Sequence, residues 1–173
     1  TTNLTPASAE LVGISLCYEV GRAAYVPIGH KGADTDLLGG GEDIKQIPLT
    51  EAIAALKPLL EDHAVLKVGH NVKYDWQMLK KHGIHMTPCD DTLLMSYVLD
   101  GARNNSMDEL SKNLLGHETI KYDDVTGTGK KRITFDYVPL DKALNYAAED
   151  ADVTARLYHH FKPRLAVEAM SYV

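Results

Sequence analysis

Two pairs of side chains, each set four residues apart, hold the chemical potential of this sequence. Tyr146 and Asp150 stand in ALNYAAEDADVTARLYHHF, and Asn71 and Asp75 in VLKVGHNVKYDWQML. That spacing puts each pair on one helix face, so two helices would each project a carboxylate beside a hydrogen-bonding partner. Oxygen donors of this kind suit hard divalent ions such as Mg²⁺, which take few protein carboxylates and keep several waters. Two such ions about 3.5–4 Å apart clamp the attacking and leaving oxygens of a phosphodiester, which makes phosphoryl hydrolysis the sharp hypothesis. Taken singly, each pair also fits a plainer role. Asn71 would cap a helix, Asp75 would sit favourably in its first turn, and Asp150 would be one solvated acid among others.

Periodicity around the pairs implies the elements that position them. Alternation over Glu10 to Tyr18 and Ala23 to Ile28, separated by Glu19-Val20-Gly21-Arg22, predicts an antiparallel hairpin. Lys31 to Gln46, with Gly32, Gly39, Gly40 and Gly41, reads as a mobile surface loop and a poor candidate for a phosphate cradle. Leu49 to Leu60 has helical spacing, and Val65 to Val68 is short and apolar apart from Lys67, as a buried parallel strand is. A helix follows Gly69-His70-Asn71 and ends at Gly83, and Pro88 to Asp91 leads into another; the remainder is mostly helical. The pattern is α/β with a hairpin first.

Length and composition set outer bounds. At 173 residues and 45% hydrophobic content the chain suits one domain with a sizeable core. It has no apolar run able to span a bilayer, no charged-then-apolar leader and no lipidation signature, so we expect a cytoplasmic setting and no membrane partner. Cys17 and Cys89 are too few for a disulfide framework or a zinc site, and Cys17 alternates with apolar neighbours as a core thiol does. The net charge of −6 argues against extensive phosphate contacts, although carboxylates that recruit a metal tolerate it.

NVKYD and YAAEDADVT resemble the second and third motifs of the proofreading 3′–5′ exonuclease domain of bacterial DNA polymerase I. ELVGISLCYEVGRAAYVPIGH is similar to that family's second and third strands, DTLLMSYVLDG to the helix after its fifth strand, and SMDELSKNLLG to the short helix that follows. Tyr146 four residues before Asp150 matches the tyrosine subgroup of the DEDD exonucleases. The resemblance covers nearly all of residues 1–173 apart from the glycine-rich loop. It implies a ribonuclease H-like α/β fold, a mixed sheet with helices on both faces.

The same resemblance implies the site. Asp75 and Asp150 would be metal ligands helping to hold two divalent cations (Mg²⁺, Mn²⁺ or Zn²⁺), and Tyr146 would orient the attacking water. Leu4 would wedge against the terminal base, Asn71 would contact the terminal nucleotide and Tyr122 would stack on a terminal base. The substrate would be a single-stranded or frayed 3′ end of DNA, and the domain would be natively fused to a polymerase. The family's first motif, an Asp-x-Glu on its central strand, comes directly before residues like Thr1-Thr2-Asn3-Leu4, so we expect a single domain truncated at both ends and lacking that strand. Two other readings stay open: a catalytically silent nuclease-like scaffold, and an RNA-trimming relative of ribonuclease D.

Other residues call for less. Lys130, Lys131 and Arg132 in TGTGKKRITF suit either a DNA backbone contact or an ordinary solvated turn. His70 is expected to pack or hydrogen-bond locally, and His159 and His160 to suit a helix dipole. Glu149 and Asp152 flank Asp150, point off its face, and read as surface acids.

Overall fold

The computed structural model describes residues 1–32, 44–101 and 104–170. Two strands come first, β1 (Gly13–Glu19) and β2 (Arg22–Pro27), paired antiparallel with Gly13 opposite Pro27 and Cys17 opposite Ala23. Gly21 turns the hairpin at φ +83°, a conformation that other residues adopt only with strain. Helix α1 (Leu49–Glu61) leads to β3 (Lys67–Gly69), helix α2 (Val72–Lys81) and β4 (Cys89–Asp91). β3 and β4 run parallel, with Gly69 opposite Asp91 and α2 as the crossover between them. Helices α3 (Thr92–Asp100), α4 (Met107–Leu110) and α5 (Tyr122–Thr126) follow, with a π-helical turn (Ser111–Leu115) after α4. The 28-residue α6 (Leu140–Val167) completes the described chain.

The hairpin lies where the alternation puts it, and α1 matches its predicted span. β3 starts at Lys67 instead of Val65, because Val65 still closes a turn, its amide donating to the Asp62 carbonyl (3.2 Å); the Lys67 ammonium donates to the carbonyls of Asp62 (2.7 Å) and Thr87 (2.5 Å). The glycine-rich loop falls mostly outside the described residues. Among those described, β1–β2 and β3–β4 stand as two separate two-stranded sheets.

Among the described residues, three apolar clusters fill the interior. Leu60, Leu79, Ile84 and Met86 join α1 and α2 beneath the two sheets, with Ile14 and Cys89 against them. Met95, Leu110, Val153, Leu157 and Phe161 lock α3 and α4 to α6. Val12, Val125, Phe135, Val138 and Ala143 form the third, with Tyr25 and Tyr146 against it. Ala143, Ala147, Val153, Leu157 and Phe161 recur at helical spacing, so one stripe of α6 serves two clusters. Tyr146 and Asp150 lie along that stripe. Cys17 is half-buried, with Sγ 3.1 Å from the Glu19 carbonyl, and so is not the core thiol its neighbours suggest.

Candidate active site

Core packing places the Tyr146–Asp150 pair. Because the stripe faces inward, the Asp150 carboxyl is largely removed from water, and burial pushes its pKa up to about 7. A hydrogen bond from Tyr146 opposes that shift, while the nearby charges of Glu149 and Asp108 add to it. Burial also raises the Tyr146 pKa, with the Asp150 charge next in importance, so the phenol stays protonated at neutral pH. No ion pair joins Asp150 to a Lys or Arg side chain among the described residues.

Tyr146 is one ring of an aromatic group. Its ring lies 6.0 Å from Tyr122, edge to face, and 5.8 Å from Phe135, while Tyr122 stacks on Phe135 at 6.2 Å and 17°. The Arg132 guanidinium lies 5.7 Å over the Tyr122 ring and pairs with Asp123. Tyr122 is therefore held in a fixed orientation while 39% of it stays exposed to solvent, unlike an isolated surface aromatic.

Glu149 and Asp152 are not the surface acids that their positions suggest. Glu149, with 18% of its side chain exposed, accepts from His117 Nε2 (2.8 Å) and the Ile120 amide (2.6 Å). It ties the segment leading to Tyr122 onto α6. Asp152 accepts from the Gly21 amide (2.5 Å) and Arg156 (2.7 Å), anchoring the hairpin turn to the same helix. Their partners lie far away in sequence, so spacing within α6 alone carries no sign of them.

Backbone capping places the second carboxylate. Asn71 occupies the N-cap position of α2 in the left-handed region (φ 63°, ψ 44°), but its side chain makes no capping bond. Asp91 caps instead. Its buried carboxylate accepts from the amides of Asn71 (2.9 Å) and Val72 (3.0 Å) at the start of α2, and of Leu93 (3.0 Å) at the start of α3. Asp75 follows one turn into α2, on the same face as Asn71. His70 donates through Nδ1 to the Thr92 hydroxyl (2.9 Å), whose own proton goes to the Gly69 carbonyl. Burial lowers its pKa, so His70 is a local hydrogen-bonding residue, as expected.

Asp75 keeps an exposed surface although protein surrounds it closely. Burial is the main influence on its carboxyl and raises its pKa to about 6, and the charge of Asp91 adds to it. The solvent that reaches the carboxylate tempers that penalty. Leu4, 91% exposed, projects from a loop fastened to α2: the Tyr74 hydroxyl bonds Thr1 Oγ1 (2.8 Å) and the Asn3 carbonyl (2.5 Å). Lys81 donates to the carbonyls of Pro6 (3.0 Å) and Ala9 (2.6 Å).

The structure thus gathers the candidates into two sets, Tyr146, Asp150 and Tyr122 on one side, and Asp75, Asn71 and Leu4 on the other. Between the two sets the link seen is electrostatic: Tyr74, next to Asp75 on α2, is near enough to Tyr122 to influence its phenol. No direct contact joins Asp75 to Asp150. Among the described residues no three His, Cys, Asp or Glu side chains gather as a metal-holding group. The donor chemistry still fits a divalent ion, because both carboxylates are partly desolvated and neither is neutralised by a basic side chain among the described residues.

Comparison with known proteins bears on this arrangement. The family model described as 3′–5′ exonuclease matches residues 1–166. The DNA polymerase I of Rhizobium leguminosarum is 51% identical over 183 aligned positions, covering 100% of this chain and 18% of its own length. That of Pseudomonas aeruginosa is 42% identical, covering 91% of this chain and 17% of its own length. The chain thus spans less than a fifth of these curated relatives. Among solved structures, Brucella melitensis NrnC has a TM-score of 0.70 at 19% identity, covering 99% of this chain and 72% of that one. The same protein with bound Mg²⁺ has a TM-score of 0.67. The likeness to these structures shows the fold, and the matched model and sequences show the family.

Proposed function

The chain belongs to the 3′–5′ exonuclease family, and we propose that it hydrolyses the 3′-terminal phosphodiester of single-stranded or frayed DNA, releasing nucleoside 5′-monophosphates. The observation that carries this reading is the Tyr146–Asp150 pair, held on the inward stripe of α6 beside Tyr122. Its natural setting is a cytoplasmic DNA polymerase I, the protein to which the similar sequences belong.

Asp75 and Asp150 would each offer a carboxylate to divalent cations, of which Mg²⁺ has a precedent in the similar nuclease fold. Such ions would lower the pKa of water and offset charge on the phosphate oxygens. Tyr146 stays protonated, so it cannot serve as a general base at neutral pH. It donates to Asp150 and leaves an oxygen lone pair to orient the attacking water. Tyr122 offers a base-stacking face that accepts any nucleobase, and Leu4 a rigidly mounted apolar tip to set against the terminal base. Preference for frayed ends follows, because a paired end must first meet the cost of unstacking.

The test is degradation of a 5′-labelled single-stranded DNA oligomer with Mg²⁺ or Mn²⁺, beside EDTA, an RNA oligomer and the Asp150→Ala variant. A metal-dependent DNA ladder absent from the variant supports the proposal. DNA binding without any ladder would make the chain a silent scaffold, and a preference for RNA would favour the ribonuclease D-like reading.

A further inference from the structure

α5 is followed by a tight turn whose shape is set by its own hydrogen bonds. The Gly127 amide donates to the Asp123 carbonyl (2.9 Å), the Ile133 amide to the Thr126 carbonyl (2.9 Å), and Thr126 Oγ1 to the Tyr122 carbonyl (2.9 Å). Gly127 (φ 76°) and Gly129 (φ 61°) take left-handed conformations there, and Gly129–Lys131 closes as a single 3₁₀ turn. The tip is therefore fixed relative to Tyr122, the first residue of α5.

Its three cations divide the available roles. Arg132 points back over the Tyr122 ring and pairs with Asp123, so its charge is already engaged. Lys130 and Lys131 are exposed, and no ion pair engages either among the described residues. Two adjacent exposed lysines in the turn that follows Tyr122 stand out in a chain of net charge −6, where Asp108 and Glu149 add negative potential at Asp150. An acidic site repels an incoming polyanion. A cationic edge next to the base-stacking face is where the electrostatics would favour the trailing strand.

We propose that Lys130 and Lys131 form a backbone-phosphate subsite that holds the single strand just 5′ of the nucleotide stacked on Tyr122. The subsite rests on the exonuclease reading and deepens it. Stacking registers the terminal nucleotide, and the turn touches the phosphates behind it without reading sequence.

The experiment measures KM for 3′-end removal against salt concentration in the wild type, in Lys130→Gln/Lys131→Gln, and in a control, Lys45→Gln/Lys80→Gln, that removes the same charge elsewhere. We expect the paired variant to flatten the log–log salt dependence by about 1.4, which is about 0.7 for each single-strand phosphate that a lysine no longer neutralises. KM for a ten-nucleotide oligomer should rise roughly 3- to 10-fold at low salt, the rise shrinking as the substrate is shortened to a dinucleotide. The control should keep the wild-type slope, and thermal melting establishes that all three proteins are folded. A slope unchanged from wild type, an equal change in the control, or the same KM penalty on the dinucleotide would each overturn the subsite. If the wild type itself shows no metal-dependent degradation, the exonuclease reading has failed; degradation with an unchanged slope refutes the subsite alone.

Discussion

α6 and α2 each carry one candidate carboxylate, and they hold it by different physical means. On α6, Asp150 lies in line with Ala143, Ala147, Val153 and Leu157, so the packing that folds the protein also aims the acid. On α2, Asp75 keeps an accessible surface, and its aim depends on Asp91, which grips the first amides of two helices from the end of β4. One acid is oriented at a desolvation cost, the other through a single hub of backbone hydrogen bonds. Core placement costs stability and gives rigidity. Hub placement carries a smaller desolvation cost but concentrates the risk in one residue.

The largest effect expected from breaking this contrast is on turnover. Asp150→Ala should lower metal-dependent cleavage by roughly 10³-fold or more, about 4 kcal/mol of barrier, in single-turnover assays. Its folded stability in EDTA should not fall, because the residue removed is a desolvated acid without a basic partner. Asp91→Ala should do the opposite in kind: three amides lose their acceptor, unfolding free energy drops by roughly 3 kcal/mol in urea titration, and activity declines with it.

Stability against pH sharpens the comparison. A carboxyl whose pKa is raised by folding binds its proton more tightly in the folded chain, so stability is greatest below the unfolded pKa of 3.8 and falls as pH rises toward about 7 for Asp150. In EDTA, Asp150→Asn should remove roughly 2–4 kcal/mol of that decline between pH 4 and pH 8. Asp75→Asn should remove less, over a window that closes near its value of about 6, because solvent reaches its carboxylate. Equal effects in chemical denaturation would erase the distinction between core and hub. Smaller again is Tyr146→Phe, which should slow turnover roughly 10- to 100-fold in single-turnover assays while equilibrium DNA binding stays intact.

The difference between the helices also governs what the sequence disclosed. The α6 pair was legible because the four-residue spacing puts Tyr146 and Asp150 on one helix face, although only the packing shows that this face lies along the inward stripe. The hairpin was legible by its alternation. Asp91 was not, since its amide partners at Asn71 and Val72 are some twenty residues away and come near only when β4 pairs with β3. The same reason hid the anchoring roles of Glu149 and Asp152, and the burial of the Lys67 ammonium under two carbonyls. Asn71 did begin a helix, but its left-handed backbone turned its side chain away from capping. Tyr122 was visible by type alone, because its fixed pose comes from Phe135, Arg132 and Tyr146, which local patterning does not bring together.

That Asp75 and Asp150 serve one metal-dependent site, despite their different supports, is tested most directly by titrating Mn²⁺ into the wild type, Asp75→Asn and Asp150→Asn, with free ion followed by electron paramagnetic resonance. Weakened or missing Mn²⁺ binding in both variants, each still folded by circular dichroism, is the predicted result. Wild-type affinity and stoichiometry in either variant would contradict the account, because the acid concerned would then hold no ion.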